Sequence, residues 1–127
     1  MMANSTEFTF ILQPSPLGGV GVFAAHDIPN GMQLFSGIFK PRKMKISDIP
    51  DTFRKYVIYL NDAECLCPER FDRMEIGWYL NHSPHPNIIK KDHGLVYAVH
   101  DIKKGEEILI DYNHLNEPEC MKEDYYK

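Results

Sequence analysis

Asn81-His82-Ser83-Pro84-His85-Pro86-Asn87 is the stretch on which the reading of this chain turns. Two prolines deny it a helix interior or a central strand, so it is a rigid, irregular segment whose polar side chains bond backbone or ligand groups. On these residues alone two readings stand: Asn81 and His82 satisfy buried amides of the fold, or they face a ligand. Upstream lies Gly18-Gly19-Val20-Gly21-Val22-Phe23, and downstream Gly105-Glu106-Glu107-Ile108-Leu109-Ile110-Asp111-Tyr112. The first is a glycine-rich turn that opens backbone to a close neighbour, or simply a tight β-turn. It lacks the following helix and the Lys-Ser/Thr pair of a phosphate loop. The second is an apolar strand closed by a tyrosine, a residue type that buries its ring at a sheet edge and keeps its hydroxyl wet.

The totals narrow the function classes. A chain of 127 residues fits one domain, 1–127, with a core at about 8–112 and a flanking segment at 113–127. With 43% hydrophobic and 25% charged residues it is a folded globular protein. A net charge of -4 disfavours direct nucleic-acid binding, which needs a basic face, and suits a lysine-rich partner. Cys65, Cys67 and Cys120 read as reduced thiols, because three cysteines cannot all pair and two are near neighbours. No apolar run approaches the ~20 residues of a membrane span and the start lacks a secretory pattern, so a soluble, intracellular protein, cytoplasmic or nuclear, is expected, with no membrane contact.

The hydrophobic pattern predicts many short strands and two brief helices. Strands are expected over 8–13, 20–25, 33–39, 88–91, 95–99 and 108–110, with a hairpin turn at Asp92-His93-Gly94. Helices are expected over 51–56, capped by Ser47 and Asp48, and over 70–79. Residues 23–31 echo residues 97–105, each reading strand, turn and strand, which is the same turn chemistry used twice. A mostly β domain follows.

The three stretches, in this order, resemble the SET domain of S-adenosylmethionine-dependent protein lysine methyltransferases, and the resemblance covers about residues 8–112. It implies several short twisted sheets, few short helices and a C-terminal pseudoknot, in which the last strand passes through the loop begun at Asn81, a rare exception to unthreaded connections. It implies that Gly19, Val20, Gly21, Asn81 and His82 bind S-adenosylmethionine and release S-adenosylhomocysteine, and that Tyr112 is catalytic. Tyr56 is the first choice for a wall of the lysine channel, with Tyr59, Tyr79 and Tyr97 as further candidates. Each of these four tyrosines has core packing as its ordinary reading. The implied partner is a protein or peptide lysine, a histone tail among the candidates.

Departures from the family pattern are specific. Pro84 stands where many members carry cysteine, and Ile110 where many histone enzymes carry an aromatic residue that limits methyl number. No cysteine-rich zinc segment flanks the domain, so the site must be closed by the tail from Asn113, through Tyr125 or Tyr126, or by a homodimer partner. Metal ligation by Cys65, Cys67, His82, His85 and His93 is disfavoured, since Cys-x-Cys is not the usual knuckle spacing and no second pair follows. His82 beside Ser83 makes no hydrolytic relay, because adjacency in sequence is not geometry. The reading from a different class is a SET-like module that binds peptides without catalysis.

Overall fold

The computed structural model describes residues 8–35, 40–91, 95–115, 117–122 and 124–126, for Asp124 only the backbone. The expected hairpin turn at 92–94 and the end of the strand expected over 33–39 lie outside them. Among the described residues ten short strands form four small sheets. β1 (Phe10–Pro14) pairs antiparallel with β2 (Val20–Ala24). β3 (Gln33–Leu34), β9 (Val96–Ala98) and β8 (Ile88–Lys90) make a second sheet with β9 central. β4 (Arg42–Lys45), β6 (Glu64–Cys67) and β5 (Ile58–Tyr59) make a third. β7 (Asn81–His82) runs parallel to β10 (Leu109–Ile110).

The echo between residues 23–31 and 97–105 is more than repeated turn chemistry, because the two turns lock into each other. Ile28 and Ile102 exchange both backbone hydrogen bonds, at 2.7 and 2.8 Å. The Asn30 amide donates to Asp101 Oδ1 and the Lys104 amide donates to Asp27 Oδ1, both at 2.8 Å. Gly31 N–H donates to the Ala98 carbonyl and Gly105 N–H to the Ala24 carbonyl. Each glycine closes its turn at a positive φ, 88° and 89°, which a β-carbon would resist. This reciprocal pairing places Ile28 and Ile102 at the centre of the main core with Val22, Ala24, Leu34, Ile88, Ala98, Ile108 and Ile110.

The C-terminal run is held along both edges. Against β2, Ile108 N–H donates to the Val22 carbonyl and Ala24 N–H to the Glu106 carbonyl. Along the other edge Ser83 N–H donates to the Ile110 carbonyl, and Asn87 uses three groups. Its backbone N–H donates to the Leu109 carbonyl, its Nδ2 donates to the Glu107 carbonyl, and its Oδ1 accepts from Leu109 N–H. Residues 107–110 therefore pass between β2 and the loop 81–87, which is the threading the sequence reading expected.

Neither expected helix is an α-helix, and both are wound more tightly than anticipated. Ile46–Asp48 and Asp51–Tyr56 are separate 3₁₀ turns, and neither carries a side-chain cap. Pro50 forces the preceding Ile49 into an extended conformation, and Ile49 is drawn into a second core with Cys65 and Cys67. Of 70–79 only Ile76–Tyr79 is helical, as a 3₁₀ turn, because Glu75 is extended and so short a segment cannot sustain an α-helix by itself. β4 and β6 were not anticipated from the sequence: Arg-Lys-Met-Lys shows no apolar alternation, and its single half-buried residue is Met44. All three cysteines are free thiols.

Asn87→Ala removes the side-chain partners of Glu107 and Leu109, leaving polar backbone groups unpaired inside the fold. It is expected to cost about 3 kcal/mol of unfolding free energy, read as a lowered midpoint in urea denaturation.

Candidate functional site

Six of the ten sequence-predicted residues, Gly19, Val20, Tyr56, Tyr79, Asn81 and Tyr112, line one pocket of about 200 Å³, with Gly18, Lys55, Trp78, Leu80 and Tyr125 completing the wall. Its floor is the turn between β1 and β2. That turn is held by Ser15 N–H donating to the Gly19 carbonyl and by Gly18 N–H donating to the Ser15 carbonyl. One flank is the Ile76–Tyr79 turn, whose Tyr79 ring meets Tyr56 edge-on at 5.4 Å. Opposite lies Tyr112, delivered by the threaded strand.

Tyr112 is tightly placed. Its hydroxyl donates to the Leu80 carbonyl at 2.6 Å, and its backbone N–H donates to His82 Nδ1 at 3.0 Å. Burial pushes its phenol well above the ordinary tyrosine range, and Tyr125, Glu117 and Glu107 push it in the same direction. Tyr112 thus stays a neutral phenol across the physiological range. Its proton goes to Leu80 and its hydroxyl also meets the Tyr125 side chain, so the oxygen keeps room for at most one further donor.

His82 sits behind the pocket. Since Nδ1 accepts from Tyr112 N–H, the neutral imidazole carries its proton on Nε2. Burial holds its pKa below the ordinary value, opposed by Asp111, whose Oδ1 lies 3.7 Å away. The ring also packs on Tyr112 at 5.2 Å and on Tyr126 at 5.6 Å. Its contribution is to hold Tyr112 and the tail.

The tail folds back onto this cluster, as one of the two expected closures requires. Glu117 is buried and accepts from the Tyr126 hydroxyl and from Tyr59 N–H. Asn113 Nδ2 donates to the Tyr126 carbonyl at 2.6 Å. Tyr126 is consequently buried, while Tyr125, 67% exposed, reaches the pocket rim 6.1 Å from the Tyr112 ring.

Four candidates stand outside the pocket wall: His82 behind it, and Tyr59, Tyr97 and Gly21. Tyr59 lies on β5, where its backbone serves the Glu117 clamp, and Tyr97 lies on β9 under Lys91, 5.0 Å from its ring. Gly21 is buried beneath the turn. A β-carbon there would collide with Glu107 Oε2 and lie 3.0 Å from Asn81 Nδ2. Ser15, Glu107, Trp78 and Lys55 belong to the site or its support, yet sequence reasoning assigned them no role. Only Glu107 carried a signal, its place in the Gly105-Glu106-Glu107 motif.

The lowered His82 pKa sets a pH window. The unfolded chain takes up this proton near pH 6.5 while the folded protein does not, so the contribution to stability is complete above that value and declines as pH falls below it. Thermal unfolding followed from pH 7.5 to 5.5 is expected to show a falling midpoint in the wild type and a flatter profile in His82→Gln.

Comparison with known proteins bears on the family and the fold. The family model described as the SET domain matches residues 19–113. No curated protein is similar in sequence at a significant level. Among solved structures, a Plasmodium falciparum protein described as a histone methyltransferase is 28% identical with a TM-score of 0.55, the alignment covering 80% of this chain and 90% of that one. The methyltransferase domain of human PR domain-containing protein 2 is 24% identical with a TM-score of 0.58, covering 87% and 81%. A humanized Chaetomium thermophilum Polycomb Repressive Complex 2 bound to an inhibitor is 24% identical with a TM-score of 0.57, covering 86% of this chain but 15% of that one. The last two share the fold. The threaded strand, the glycine turn and a family match across most of the chain lead to one assignment: the chain belongs to the SET domain family, a family of protein methyltransferases.

Proposed function

We propose that this chain is a protein-lysine N-methyltransferase that uses S-adenosylmethionine, with the pocket beside Tyr112 as its active site. The observation that carries the reading is the position of Tyr112: a buried neutral phenol whose oxygen is held by Leu80 at the mouth of an aromatic pocket.

The residues present fit the cofactor. Open backbone at Gly18, Gly19 and Val20 gives room for a ligand at contact distance, the rings of Tyr56, Trp78, Tyr79, Tyr112 and Tyr125 suit a sulfonium and a purine, and Asn81 supplies a polar anchor. S-adenosylmethionine, when bound, supplies an electrophilic methyl on a positively charged sulfur. The protein's own part is to present an amine in its neutral form and in line with that methyl. A lysine at pH 7 is almost wholly protonated, and reaching the neutral amine costs roughly 4 to 5 kcal/mol. A channel walled by Tyr56, Tyr79 and Tyr112 lowers that cost by desolvating the ammonium. Tyr112 then accepts a hydrogen bond from the amine and fixes its direction, so catalysis rests on orientation and not on a protein base. The net charge of -4 favours a substrate segment rich in lysine and arginine, such as a histone tail.

Tyr112→Phe keeps the ring and removes the oxygen. Methyl transfer to a lysine peptide, followed by mass spectrometry, is expected to fall by about 100-fold, while calorimetric binding of S-adenosylhomocysteine stays within about twofold of the wild type. Full activity in the variant would remove Tyr112 from the chemistry.

A further inference from the structure

The support beneath the glycine turn contains a carboxylate that the reaction itself does not call for. Glu107 lies on the threaded strand, and its two side-chain oxygens are separately engaged. Oε1 accepts from the Ser15 hydroxyl at 2.7 Å, and Oε2 accepts from Asn81 Nδ2 at 2.7 Å. The same Nδ2 also donates to the Val20 carbonyl at 3.2 Å. Both amide protons of Asn81 are therefore spoken for by acceptors on the protein side. Reversing the amide would set Asn81 Oδ1 against a carboxylate oxygen and a carbonyl oxygen, three acceptors with no proton among them. Only one orientation survives, and no bond from a protein donor to Oδ1 is found among the described residues. Asn81 lines the pocket.

We infer that Glu107 is a positioning residue, which locks the Asn81 amide with its oxygen free to accept from a ligand's ammonium group. The inference rests on the reading of the pocket as a cofactor site. An oxygen in that position selects a cationic N–H donor, such as the α-ammonium of an amino-acid moiety, and disfavours a carboxylate at the same point. Gly21 serves the same device, since a β-carbon there would occupy the space in which Glu107 and Asn81 meet. Ser15 draws the β1–β2 turn onto the same carboxylate, so the turn that lines the pocket and the amide that reads the ligand share one anchor.

The test is calorimetric titration with S-adenosylhomocysteine and with its analogue lacking the α-amino group, on the wild type, Glu107→Leu and Glu107→Gln. The wild type is expected to prefer the amino-bearing ligand by at least about tenfold, the scale of a charge-assisted hydrogen bond. Glu107→Leu, with no acceptor to hold the amide, is expected to lose that preference while binding the analogue as the wild type does. Glu107→Gln, which still offers an oxygen to Asn81, is expected to retain it. A preference that persists in Glu107→Leu, or equal losses for both ligands, would overturn the positioning role. A wild type that binds neither ligand would overturn the cofactor assignment and this inference together. Should Glu107→Leu fail to fold, the wild type still decides: random-coil shifts and free exchange for the Asn81 side-chain amide protons in NMR spectra would overturn the lock.

Discussion

The whole arrangement depends on a single strand having to satisfy hydrogen bonds along both of its edges. Residues 106–110 meet β2 on one side and the loop 81–87 on the other, and neither contact can be dropped without stranding backbone groups inside the molecule. Asn87 makes this economical, since one short side chain serves as donor and acceptor while its own backbone donates as well. The strand emerges at Asp111 and Tyr112 with almost no freedom left. His82 Nδ1 catches the Tyr112 amide at once, and the Leu80 carbonyl catches its hydroxyl.

From that constraint the pocket acquires two chemically distinct walls. One is aromatic and tolerates positive charge, through Tyr56, Tyr79, Tyr112 and Tyr125. The other is polar and rests on Glu107, which joins Ser15, Asn81 and the threaded strand. The tail completes the first wall by way of a buried carboxylate of its own, Glu117, which ties Tyr126 to β5 and leaves Tyr125 at the rim. Two carboxylates thus do analogous work, each tying a peripheral segment into the site. A buried Glu117 and a half-buried Glu107 are tolerable here because each is matched by hydrogen-bond donors.

The reciprocal turns explain why so small a domain with such short strands is held together. Strands of two residues contribute little by themselves, and the Asp27 and Asp101 carboxylates, each bonding the opposite turn, substitute for a longer ladder. The matching pair Ile28 and Ile102 places this polar exchange directly over the core. The third sheet stands apart, around Ile49, Cys65 and Cys67, with its own small core.

Several features were determined by the sequence alone. The glycine turn, the proline-bound Asn81-His82 loop and the apolar strand ending in Tyr112 are local signals, and their order is enough for the family and for the convergence of Val20, Asn81 and Tyr112. Local chemistry of this kind is legible because turn geometry and strand alternation act within a few residues. The tertiary structure alone decided which tyrosines face the pocket, since Tyr56 and Tyr79 differ from Tyr59 and Tyr97 only in where their strands and turns are laid down. It also decided that Gly21 makes room for a carboxylate and that Glu107, 26 residues beyond Asn81, sets the direction of its amide. Those partners are distant in the chain, and a hydrogen bond between them leaves no pattern in a single sequence.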